Sequence, residues 1–286
     1  MTSTTAGAFE ALTALHSGER DAARELAARA GENGSLLGAE LARFLGTGSN
    51  GDVYGEPEAF AAFIRGGGNV ELYRRLSLEL AASYDTLKPG SLLDLGCGDG
   101  LAIGPALEQA KHVPGQIDLV EPSAALLDVA KTRVPGSPRF WAKTAQEFLD
   151  EAGEKHWALA QSTFALQTIP ESERVNVLRR IRARTGRLLI AEFNVLAHPE
   201  GTDEHLRALA VRYERGIREY ADDASLVAQG FLLPMLLGQL GGGTRNNWEQ
   251  PAVAWRADLE EAGFAYVDIE ALADYWWSPA VLIRAW

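Results

Sequence analysis

Cysteine occurs once in the 286 residues, at Cys97, so no intramolecular disulfide can form. That excludes a disulfide-stapled scaffold, and a cytoplasmic setting is expected. Histidine is scarce. Of His16, His112, His156, His198 and His205, the closest pair is His198 and His205, which lacks the three- or four-residue spacing of helical ligands. No metal is expected. Long apolar runs are missing too: Phe231-Leu232-Leu233-Pro234-Met235-Leu236-Leu237 is too short to span a bilayer, so no membrane partner is expected. Met1 to Ala8 carry neither a basic nor an apolar signal region, so no secretory signal is expected. Basic residues are outnumbered, 27 against 39 acidic, for a formal charge of −12 that repels polyphosphate. A nucleic-acid partner is therefore not expected. The densest basic cluster, Arg174 to Arg187, reads as the solvated face of an amphipathic helix with Val175, Leu178 and Ile181 inward. What remains is 47% hydrophobic and 23% charged, ordinary for a globular enzyme acting on a small molecule. The sequence also leaves room for a homodimer.

The chain reads in three stretches. Up to about Asp85 it is helical and alanine-rich, with Ser17 as a candidate N-cap and Glu19 and Asp21 in the first turn that follows. Leu72, Leu76, Leu80 and Tyr84 form an apolar stripe, joined by Tyr73. Glycine-rich breaks at Gly46 to Gly51 and Gly66 to Gly68 separate the helices. From Ser91 to Val195, short apolar runs alternate with amphipathic stretches. Strands are expected at Leu92 to Leu95, Gln116 to Val120, Arg139 to Ala142, Trp157 to Thr163 and Arg187 to Val195. Helices are expected around Leu101 to Lys111, Ser123 to Arg133 and Glu171 to Arg184. Such alternation implies a parallel sheet covered on both faces. Two further helices, roughly Thr202 to Ala221 and Asp223 to Leu240, precede an antiparallel pair at Ala265 to Ile269 and Ala280 to Trp286.

The chemistry concentrates in Leu92-Leu93-Asp94-Leu95-Gly96-Cys97-Gly98-Asp99-Gly100. An apolar strand runs into a turn with glycine at alternate positions, where the backbone can approach a nucleoside closely. Downstream, Val120-Glu121-Pro122-Ser123 puts an acid at the end of the second strand, suited to both ribose hydroxyls, and a cap for the next helix. A dinucleotide fingerprint needs a third glycine three places after Gly98, where Leu101 stands. The nine-residue segment resembles instead motif I of the class I S-adenosylmethionine-dependent methyltransferases. The likeness covers roughly Ser91 to Trp286, including the terminal antiparallel hairpin. A nicotinamide oxidoreductase and a non-catalytic binder of the same cofactor stay open as alternatives.

The resemblance implies an α/β fold: a doubly wound, mostly parallel seven-stranded sheet with a terminal antiparallel hairpin. Residues 1–85 would form an amino-terminal helical cap, and residues 86–286 a methyltransferase domain with a helical insertion at about 197–248. It implies S-adenosylmethionine as cofactor. Gly96 and Gly98 would contact its methionine and ribose parts, Asp94 its amino group or the loop, and Glu121 the ribose. Pro122 or Ser123 would lie against the adenine and Gln146 at its edge, and Gln161 and Ser162, where the fourth strand opens out, would contact the cofactor. Cys97 reads as a filler between glycines.

In this family the amino-terminal helices and the insertion usually wall the acceptor, and both are large here, which implies a closed pocket for a small molecule. Five of the seven tryptophans lie late in the chain. Tyr54, Tyr73 and Trp276, with Gln167 and Asn194, are candidate acceptor contacts. Glu192, Tyr213 and Tyr220 are candidate acid–base groups, and Arg245 and Asn246 candidate anchors. No Asn-Pro-Pro-Tyr or Asp-Pro-Pro-Tyr follows the fourth strand, which disfavours methylation of DNA bases. The pattern resembles natural-product-tailoring methyltransferases, with carbon methylation of an indole or tryptophan-derived ring the leading expectation, and oxygen or nitrogen methylation of another small metabolite the second.

Overall fold

A computed structural model describes residues 3–47, 57–196, 198–240 and 247–286. The chain divides into two compact units, one of residues 71–196, 246–274 and 279–286, the other of residues 1–70, 197–245 and 275–278. The division at Val70 and Glu71 falls inside the helix Gly67–Leu87.

The first unit is built on a seven-stranded sheet: β1 (Ser91–Leu95), β2 (Gln116–Val120), β3 (Arg139–Trp141), β4 (Leu159–Thr163), β5 (Leu188–Phe193), β6 (Val267–Ala273) and β7 (Ala280–Ala285). Their order is β3-β2-β1-β4-β5-β7-β6, with β7 antiparallel to both β5 and β6 and the rest parallel. β1, β2, β4 and β5 are almost wholly buried, as strands covered on both faces must be. Leu93, Leu95, Ala160 and Ile190 join one core with Trp157, Val177, Leu178 and Trp255, so alternate residues of those strands point to the opposite face.

Local signals set the helices between the strands. Ser123 accepts from the Leu126 N–H at 3.4 Å and caps Ala124–Arg133. Thr144 and Glu147 close a capping box that starts Ala145–Glu151, a helix the sequence reading lacks. β6 runs further than expected, to Ala273, because Glu270 and Ala271 pair with Leu282 and Val281.

The basic cluster departs from expectation. Arg174 is fully buried, not solvated. Its guanidinium lies 4.5 Å from the Trp255 ring centre and donates to the carbonyls of Ile169 at 3.0 Å and Trp248 at 2.5 Å. Val177, not Val175, is the buried valine beside Leu178 and Ile181. Arg179 and Arg180 keep the expected surface role, paired with Glu261 and Asp150.

The second unit is helical: Ser3–His16, Arg20–Glu32, Leu36–Gly46, Pro57–Arg65, Asp203–Arg218 and the stretch Ala221–Leu240. Ser17 ends the first helix instead of capping the second. Gly18, at φ +81°, donates to Leu15 O and Glu19 donates to Ala14 O, a left-handed glycine closure that places Ser17 on the carboxyl side. Helix Leu36–Gly46 is started by Ser35 and locked by Glu214, whose carboxylate accepts from the Ser35 hydroxyl at 2.8 Å and the Leu36 and Leu37 N–H groups at 3.1 and 3.0 Å. Ala221–Leu240 is longer than the run singled out in the sequence, and is enough by length and composition to cross a membrane. Half of its 18-residue apolar window is buried, with Leu232, Leu233 and Leu236 fully so, which fits a core helix of this unit. Its π-helical turn Ala228–Leu232 comes just before Pro234, which has no N–H to give the Gly230 carbonyl.

Candidate cofactor site

β1 delivers the chain into the loop Gly96 to Gly100 at the carboxyl edge of the sheet. The loop is pinned to the end of β2, with Gly96 and Cys97 N–H groups donating to Val120 O at 2.8 and 3.1 Å. Gly96 and Gly98 have φ of +75° and +55°. A side chain at Gly96 would collide with the Ala165 methyl, so the β4 loop lies directly against it. At Gly98 nothing lies within 4 Å of where a side chain would start. One glycine is required by packing, and the other keeps a surface open.

Two carboxylates flank the loop. Glu121, just past β2, accepts from the Gly98 N–H at 3.2 Å and the Ser123 N–H at 3.0 Å. A carboxylate has about four acceptor positions, so two remain for hydroxyl donors. Asp94 is buried in β1, and its Oδ2 accepts from the Gln161 amide at 2.9 Å, while Oδ1 is buried without a partner. Burial pushes its pKa up to about 7, opposed by the Gln161 hydrogen bond and reinforced by Glu121. A buried carboxylate with one oxygen unmatched fits a cationic donor. Gln161 in turn accepts from the Tyr84 hydroxyl at 2.6 Å, and Ser162 donates to Leu95 O at 2.7 Å, tying β4 to β1. Burial, reinforced by Asp94 and Glu121, holds the Cys97 thiol protonated, consistent with a filler.

No protein-family model matches the sequence, and neither does any curated protein. Solved structures do match. The citrinin polyketide synthase CMeT domain superposes with a TM-score of 0.55 at 17% identity, covering 92% of this chain and 69% of that one. Magnesium protoporphyrin IX methyltransferase from Synechocystis PCC 6803, solved with bound SAH, gives a TM-score of 0.52 at 14% identity, covering 81% of this chain and 95% of that one. This is the class I methyltransferase fold.

Within that fold the remaining candidates separate. Pro122 is exposed beside Glu121. Gln146 is half-buried one residue into helix Ala145–Glu151, where Thr144 does the capping and the Gln146 carbonyl accepts from Arg180 at 2.8 Å. The Asn194 side chain accepts from the Ala252 N–H at 2.8 Å, at the start of helix Ala252–Glu261. Gln167 donates its N–H to Glu192 at 3.1 Å and its amide to Phe164 O at 3.3 Å. Tyr213, Tyr220 and Trp276 belong to the helical unit. Tyr213 donates to Gln239 at 3.0 Å and meets the Trp276 ring edge-on at 5.8 Å, and Tyr220 accepts from Asn69 at 3.2 Å. Tyr54, Arg245 and Asn246 lie outside the described residues.

Glu192 is two residues past Ile190 on β5 and shares its face, opposite to that of Asp94 and Gln161. Burial pushes its pKa up to about 8, opposed by the Gln167 N–H. A carboxyl raised from 4.5 to about 8 contributes its full stability below pH 4.5 and loses it as pH rises through 8. Glu192→Gln is therefore expected to stabilise the protein by up to ~5 kcal/mol at pH 8.5 and hardly at all at pH 4.5, read as thermal midpoints. Equal effects at both pH values would contradict the buried neutral carboxyl.

Beside the expected Tyr73, sequence reading missed two aromatic residues on the Asp94 face. Phe164, the residue after β4, sits at φ +53° and stacks on Phe193, at the end of β5, at 4.6 Å. Tyr73 meets Phe164 edge-on at 6.1 Å. All three are half-buried. For Phe164 and Phe193 the available signal was their place at the carboxyl ends of adjacent strands, where doubly wound sheets bind ligands.

Proposed function

We propose that the protein is an S-adenosylmethionine-dependent methyltransferase acting on a small aromatic acceptor, with carbon methylation of an indole-type ring the leading case. The observation that carries the cofactor reading is the pairing of the open, left-handed Gly98 with two carboxylates of different character. Glu121 would hold the ribose hydroxyls with its unused acceptor positions. Asp94, unmatched at Oδ1, would receive the ammonium of the methionine part. Gly96 and Gly98 would let the backbone close on the cofactor.

When bound, the cofactor supplies a methyl group on a positively charged sulfur, transferred by in-line displacement. The chain's own work is alignment and exclusion of water. Phe164, Phe193 and Tyr73 offer ring surfaces for a flat acceptor and for the charge near it. Burial pushes the Tyr73 hydroxyl up to about 12, helped by Asp99, so it serves as a hydrogen-bond donor and not as a base. Both histidines of this unit sit at the other end of the sheet, His112 before β2 and His156 before β4. Aromatic faces with no histidine of this unit among them suit a carbon nucleophile, which needs little base assistance, better than a phenol.

Methyl transfer from labelled S-adenosylmethionine to a panel of indoles, phenols and amines tests this, with the methylated atom read by NMR. A carbon-methylated indole is expected. Label on oxygen or nitrogen would overturn the acceptor class, and silence across the panel with cofactor binding intact would overturn catalysis. Glu121→Ala is expected to weaken S-adenosylhomocysteine binding by about 1–3 kcal/mol, measured by calorimetry. Unchanged affinity would remove the ribose assignment.

A further inference from the structure

Tyr84 lies on the apolar stripe of helix Gly67–Leu87, the helix that precedes β1, and its hydroxyl is the first member of a buried chain that ends beside the glycine loop. The Tyr84 O–H donates to Gln161 Oε1 at 2.6 Å, and Gln161 Nε2 donates to Asp94 Oδ2 at 2.9 Å. All three residues are 0–1% exposed, so solvent does not substitute for any of these bonds.

We propose that Tyr84 is a positioning residue for the cofactor: by fixing the orientation of the Gln161 amide, it holds Asp94 so that Oδ1 is presented to the ammonium group. The proposal rests on the reading of the glycine loop as an S-adenosylmethionine site. An amide has an acceptor end and a donor end, and only one orientation serves both neighbours. With Oε1 toward Tyr84, the phenol proton has an acceptor and Asp94 has a donor. Turned over, the amide would face the carboxylate with its carbonyl oxygen and leave the buried Tyr84 proton unmatched, which is costly. Burial, with the field of Asp94, keeps the Tyr84 pKa well above 10, so the hydroxyl stays a donor across the working range.

The electrostatics give Gln161 its leverage. The titratable groups that face Asp94 are Glu121 from the end of β2, Cys97 in the loop and Tyr84 from the helix, and none of them is cationic. Burial and Glu121 oppose the charged form of Asp94, and the Gln161 amide favours it. Whatever loosens that amide makes Asp94 harder to ionise, and only the ionised form pairs with an ammonium.

The test is the affinity for S-adenosylhomocysteine across pH 5.5 to 9, measured by calorimetry on the full chain, for the unaltered protein, Tyr84→Phe, Gln161→Ala and the double variant. In the unaltered protein, affinity should fall below pH about 7, as Asp94 takes up a proton. In Tyr84→Phe the midpoint should move up by about one pH unit, the scale of one hydrogen bond, with about fivefold weaker binding at pH 7, about tenfold at pH 5.5 and recovery at pH 9. Gln161→Ala should shift the midpoint at least as far, and adding Tyr84→Phe to it should shift it no further. Two results would overturn the proposal: a loss in Tyr84→Phe that is uniform with pH, which is what simple packing would give, or shifts that add in the double variant. If the unaltered protein fails to bind at any pH, the site reading itself falls, and the relay with it.

Discussion

Gly98→Ala is expected to weaken S-adenosylhomocysteine binding by about 10- to 100-fold while leaving the protein folded, whereas Gly96→Ala should cost both binding and stability. The two glycines share a left-handed backbone, so the strain of adding a side chain, about 1–2 kcal/mol, is common to both. Their surroundings differ. A methyl group at Gly96 meets Ala165 from the β4 loop, so either the loop or the turn must move. A methyl group at Gly98 meets nothing within 4 Å and fills only the space above the turn. If that space is where the cofactor lies, the substitution removes room the ligand needs and little else. Thermal midpoints and calorimetry on both variants check this. Normal affinity in Gly98→Ala would mean that the ligand does not cover the turn.

Asp94→Asn carries the second large effect, and its two consequences run in opposite directions. Without ligand, the variant should be more stable than the unaltered protein at pH 8.5. A carboxyl raised from 3.8 to about 7 contributes its stability below pH 3.8 and loses it as pH rises through 7. A neutral amide does not suffer that loss. With ligand, affinity at pH 8.5 should fall by more than about 100-fold, because a buried ammonium would be left without its counter-charge, at about 3 kcal/mol or more. The affinity of the variant should also no longer depend on pH near neutrality. A variant that is both less stable and still able to bind would mean that Asp94 is a structural carboxylate.

Much of this architecture is legible in the amino-acid sequence because the signals are local. The run Leu92 to Leu95 followed by alternating glycines marks the strand and its turn, and Ser123 marks the start of the helix after β2. The buried stripe of Leu72, Leu76, Leu80 and Tyr84 follows from helical spacing alone. What was illegible depends on contacts distant in sequence. Arg174 reads as a surface residue until Trp255, Ile169 and Trp248 are seen around it. Ser17 resembles a cap, but Gly18 closes the preceding helix first. Glu192 and Asp94 look alike as acids ending strands. In a sheet buried on both faces, apolar alternation does not say which way a residue points, so their placement on opposite faces had no sequence signal. The stacking of Phe164 on Phe193 depends on the register of β4 against β5, which no local pattern encodes.

The most direct test of the nucleoside assignment is calorimetric titration of the unaltered protein at pH 8 with S-adenosylhomocysteine and, separately, with NAD and NADP. One molecule of S-adenosylhomocysteine bound per chain, with no heat of binding from either dinucleotide, is the expected result. Saturable binding of a dinucleotide, or no binding of S-adenosylhomocysteine, would contradict the assignment of the Gly96 to Gly100 loop and its two carboxylates.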